Sequence, residues 1–159
     1  MKKEELKSLM DQALEKAKIL LLRDGHLVPV AFMHCENNID VIGLSFKDRA
    51  DKNRQLSFLK KLVKKKNADA IFIVTESWVI TSDTEDLTIE PSKHPMRKEC
   101  IFIYGECEEG DITIMQIFDK KNEEFVFGER VEHIGAISLK FDFGIKDKKK
   151  QNKDLSYLS

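Results

Sequence analysis

No apolar run in this chain approaches the ~20 residues that a membrane-crossing helix needs; the longest, around Ala70 to Val74, has the length of a strand. The start, Met1-Lys2-Lys3-Glu4-Glu5, carries acids and leads straight into an amphipathic pattern, where a secretion signal would need a continuous apolar stretch. Neither export nor membrane insertion is expected, and a cytoplasmic location is. Cysteine is scarce too. Cys35, Cys100 and Cys107 are odd in number and contain no Cys-x-x-Cys pair, so reduced thiols are expected in place of a disulfide framework. Net charge is absent as well: 27 basic and 28 acidic side chains nearly cancel, so no global field steers the molecule towards polyanions. Nor does the chain contain a phosphate-binding loop, a nucleophile elbow, a metal signature or an internal repeat.

What is present suffices for one core. The chain has 159 residues, 42% of them hydrophobic, with ten Phe, and a domain of this size buries roughly two-thirds of the surface its unfolded form exposes. The expected organisation is a single domain over residues 1–145, followed by a flexible Lys-rich tail at 146–159.

Apolar residues recur every three or four positions from Glu4 to Leu22, which predicts a helix stopped by Asp24-Gly25. Residues 27–35 and 39–46 are rich in β-formers around a short polar turn and predict a hairpin; Pro29, which has no amide donor, is expected near a strand start or on a sheet edge, which favours the first of these strands as an outer one. Residues 48–66 return to helical spacing, with Asp48 or Asp51 as N-cap, lysines 60, 61, 64, 65 and 66 towards the end, and Asn67 as the stop. Residues 68–80 then read as an apolar strand, and the strand-helix-strand order predicts that the second and third strands run parallel through a right-handed crossover. A polar surface loop is expected over 81–98, and a second hairpin from 99–107 and 112–119; past it, 125–127 and 134–143 are β-prone. The fold class is α+β: a mixed, mostly antiparallel sheet of about five to six strands carrying two main helices, in the order α-β-β-α-β-β-β.

The most unusual local feature is Thr75-Glu76-Ser77-Trp78, followed after the polar stretch by Pro91, His94, Pro95, Arg97 and Glu99. If the third and fourth strands are neighbours, the intervening loop brings Glu76, Trp78, His94, Arg97 and Glu99 together. The pattern Glu-Ser-Trp, then Pro-Ser-x-His-Pro-x-Arg-x-Glu, resembles that of a group of small bacterial and phage proteins with no established activity; it covers residues 69–107, and the resemblance implies a shared fold and no mechanism. Read chemically, Glu76 or Glu99 would serve as general base or metal ligand, His94 as acid and Arg97 as anion clamp, a set suited to hydrolysing a phosphoester. Trp78, Arg97 and His94 would form a binding surface. The simpler reading makes Arg97 a bidentate partner of Glu76 or Glu99, with His94 and the prolines stiffening the loop and Trp78 covering the sheet end.

The potential metal ligands His26, His34, Cys35, His94, Cys100, Cys107 and His133 are dispersed, and neighbours such as His34 and Cys35 must point to opposite faces of a strand, so no metal and no cofactor is expected. The lysines of the second helix and Lys146 to Lys150 lack the arginines and exposed aromatics that nucleic-acid readers add, which favours solvated faces. The third strand is apolar on both sides, Phe72, Val74 and Trp78 on one and Ile71, Ile73 and Val79 on the other, so it needs two covers; dimerisation through the sheet would supply one. The leading reading is a non-catalytic cytoplasmic interaction or accessory protein of phage or mobile-element origin, with self-association or a protein partner expected and no membrane partner. A small hydrolase or nuclease using Glu76, His94, Arg97 and Glu99 is the alternative, and nucleic-acid binding through the lysine clusters a second one.

Overall fold

A computed structural model of the chain describes residues 1–80, 96–135, 137 and 139–143. Helix α1 (Lys3–Asp24) buries Leu6, Met10, Leu14, Ala17 and Leu21 along one stripe, and Gly25 ends it at φ 79°, its N–H donating to Leu21 O. Helix α2 (Arg49–Lys66) starts at Asp48, whose side chain accepts the Asp51 N–H at 2.7 Å. Asn67, at φ 55° and ψ 46°, closes it in the left-handed conformation, with three lysines in the last turn facing the negative end of the helix dipole.

Six strands form one sheet: β1 (Val30–Cys35), β2 (Asn38–Gly43), β3 (Ala70–Ile80), β4 (Arg97–Cys107), β5 (Gly110–Lys121) and β6 (Glu124–Ile134), in the spatial order β2-β1-β3-β4-β5-β6. The fold is α+β as expected, with one strand more than the expected order. Every neighbouring pair is antiparallel. β2 and β3 do point the same way, but β1 lies between them, because both flank it in antiparallel register.

Three expectations need correction. The first strand is not an outer one: Pro29 immediately precedes β1, so its missing N–H removes no ladder bond, and β2 forms the edge. Arg97 and Lys98 belong to β4, paired with Ile80 and Val79, and not to a loop. Of the β-prone stretch 134–143, Ile134 ends β6 and residues 139–143 form no further strand but run over the sheet, where the Glu106 carboxylate accepts the N–H groups of Lys140 and Phe141 and the Tyr104 hydroxyl accepts that of Leu139. The remainder of the expected loop, residues 81–95, lies outside the described residues.

The two helices divide the two faces of the sheet. α1 crosses β3, β4 and β5, its stripe meeting Phe72, Val74, Ile101, Ile103, Ile112 and Ile114. α2 buries Leu59 and Val63 on the opposite face against Ala31, Met33, Ile71 and Ile73, with Phe141 and Phe143 completing that core. The two-sided apolar character of β3 is thus accounted for by one helix on each side. Gly105 marks a close approach of α1: a Cβ there would overlap the Met10 sulfur.

Candidate functional site

Strand register fixes where the singled-out residues fall. Trp78 stands opposite Glu99, Ile80 opposite Arg97 and Glu76 opposite Ile101, so Glu76, Trp78, Arg97 and Glu99 share the α1 face of the sheet. The Arg97 guanidinium carbon lies 4.8 Å from the centroid of the Trp78 ring, a cation–π contact on a partly exposed indole. Glu76 stands two positions before Trp78 on the same face, about 7 Å along the strand at ~3.3 Å per residue, and its Oε1 accepts the Leu27 N–H, tying the α1–β1 connection to β3. Trp78, Arg97 and Glu99 therefore come together, Glu76 has a positioning role in the fold, and His94 lies outside the described residues. The three line an open depression of about 820 Å³ with Asp119, Lys120 and Glu129, where charges of both signs offset one another.

Several other titratable groups are engaged structurally. His34 Nδ1 sits 2.6 Å from Asp69 Oδ1, joining the end of β1 to the start of β3. Burial pushes the Cys100 thiol up to about 12, and burial likewise raises Cys107, so neither supplies a thiolate. No group of three or more His, Cys, Asp or Glu side chains among the described residues could hold a metal ion. On α2, Lys66 binds Asp40 at 2.8 Å and Lys64 lies 3.9 Å from Asp142, which weakens the basic face.

A more apolar feature lies elsewhere. α1 lies mainly over β3, β4 and β5, so that among the described residues Val30 and Phe32 of β1 are only partly covered on that face and Ile39 and Val41 of β2 are exposed. A groove of about 640 Å³ results, floored by Val30, Phe32, Phe72 and Val74, walled on one side by Leu9, Ala13 and Leu20 of α1, and bounded on the other by Ile39 and Val41 of β2. Val41 and Val28 are each 64% exposed, Ile39 46% and Leu20 38%, an apolar concentration that water-facing sheet surface does not require.

Residues 1–146 match the profile of the family described as bacteriophage lambda protein ea47. The chain belongs to that family. The resemblance to phage proteins carried by residues 69–107 is thereby extended to both helices and all six strands. No curated protein and no solved structure matches the chain. Among the described residues, no helix is long and apolar enough to cross a membrane.

In this ea47-family chain the groove residues went unrecognised in the sequence, although a signal was there. Leu20 belongs to the α1 stripe yet is only half covered, and Ile39 and Val41 alternate with Asp40 as a strand facing a core would. What periodicity could not disclose is that α1 crosses too far along the sheet to cover them.

Proposed function

We infer that this chain is a non-catalytic accessory protein of phage origin that acts in the cytoplasm by docking a protein partner in the groove between α1 and the β1–β2 hairpin. The observation that carries this reading is the groove itself, a largely apolar concavity of about 640 Å³ flanked by exposed Leu20, Ile39 and Val41. Sites of this kind take an apolar helix face or strand, and the enclosing side chains supply affinity by leaving water. The hydrolytic reading has less support, since the Glu76 carboxylate is engaged by the Leu27 N–H.

The test is site-specific photocrosslinking in bacterial cells that express the chain. A photoreactive side chain at Leu20 is expected to give discrete protein adducts, whereas one at Lys61, on the exposed side of α2, gives none. Equal labelling at both positions, or none at either, would overturn the proposal.

A further inference from the structure

We propose that a second copy of this chain adds to the edge of β2, which pairs with no further strand among the described residues, joining the two sheets and extending the floor of the groove; this rests on the groove being a docking surface. The backbone parity of β2 settles which groups are available. The Leu44 N–H donates to Pro29 O at 2.9 Å, and Pro29 falls opposite Leu44 in the β1–β2 register. Bonded pairs alternate along an antiparallel ladder, so Leu44, Ile42 and Asp40 turn their backbone groups inward to β1 while Ile39, Val41 and Gly43 turn theirs outward.

The two edges of the sheet differ in how they are guarded. β6 carries Glu124, Glu129, Arg130 and Glu132, and its register with β5 shifts between Gln116 and Phe118; charge and irregularity are the usual protections of an edge strand. β2 has one charge, Asp40, and Lys66 neutralises it at 2.8 Å. Its regular outward face is a template for another strand.

The strand that fits best is β2 itself. A two-fold axis at Val41 sets Val41 against its own copy, Asp40 against the copy of Ile42, and Ile39 against the copy of Gly43. This register uses the outward backbone groups on both sides and avoids opposing the two Asp40 carboxylates, which would repel across the ladder. Beyond the paired residues, the exposed hairpin turn bearing Glu36 comes alongside the chain leaving the second β2 at exposed Lys47, and the symmetry repeats this opposite-charge approach at the other end. On the groove side the apolar floor becomes continuous from one α1 to the other.

The experiment is sedimentation equilibrium of the purified full chain at micromolar concentration. The expected mass is twice 18.4 kDa. Val41→Pro removes an outward N–H and no β1–β2 ladder bond, so it should leave the thermal melt nearly in place and yield a monomer. Glu36→Lys should weaken dimerisation about tenfold, and adding Lys47→Glu should restore it. Should Val41→Pro not fold, this charge exchange tests the same edge without touching the backbone. A wild-type mass of 18.4 kDa throughout overturns the proposal, as does a dimer indifferent to both Val41→Pro and the charge exchange. The docking reading fails separately: a monomer that still crosslinks other proteins from Leu20 removes the second copy alone, whereas a dimer that captures nothing in cells removes the partner.

Discussion

Gly105 sits on β4 where α1 passes over it, and a Cβ there would collide with Met10 and press on Leu6. The Met10 side chain is flexible and can yield in part, so Gly105→Ala should cost about 1–3 kcal/mol in urea unfolding. A double-mutant cycle with Met10→Ala should return a non-additive term, which would place the strain at that contact. Cys100 gives a prediction of another kind. Its unfolded thiol ionises near 9.0 and the buried one at about 12, so between these pH values the unfolded chain binds fewer protons and stability falls as pH rises. The contribution is complete below pH 9.0 and lost through about 12; Cys100→Ala should flatten that alkaline limb in denaturation curves. At this scale the sequence was legible where strand pairing alone decides proximity, as for Trp78, Arg97 and Glu99. Glu76 was not legible, because its partner is an amide 49 residues away in a connection with no pattern of its own.

α2 and the extended segment after β6 show what local signals can and cannot locate. The Asp48 cap and the Asn67 stop were both readable, since each acts on backbone groups a few residues away. Replacing Asp48 with Ala should lower stability by about 0.5–2 kcal/mol, seen as a lower melting temperature with an unchanged fold. Residues 134–143 misled because an extended apolar stretch has the same composition whether it pairs as a strand or lies across a sheet. Gly135, at φ 72°, turns the chain out of β6, and Phe141 and Phe143 then pack on the α2 face. Phe143 is 1% exposed, so Phe143→Ala should cost about 3–5 kcal/mol, as expected for a large core deletion. The same substitution at Val126, half exposed on β6, serves as the control and should change little.

For the whole molecule, the apolar pattern of β3 foretold two covered faces but not what covers them. One helix per face does so for the middle of the sheet, and the uneven reach of α1 exposes the β1–β2 end. That unevenness should be visible in hydrogen exchange, because amides buried beneath a helix open only with much of the fold whereas an edge opens locally. Amides of β3 and β4 next to α1, such as Phe72 and Ile103, should be the slowest. Along β2 and the residue after it, at dilutions that keep the chain monomeric, the inward amides of Asp40, Ile42 and Leu44 should exchange more slowly than the outward amides of Ile39, Val41 and Gly43. An alternating pattern requires the register in which Leu44 donates to Pro29. Uniform protection along β2 in dilute solution would mean that its outward groups are bonded within a single copy, and uniformly fast exchange would mean that the hairpin is not held against β3; either result would remove the basis for treating β2 as an open edge.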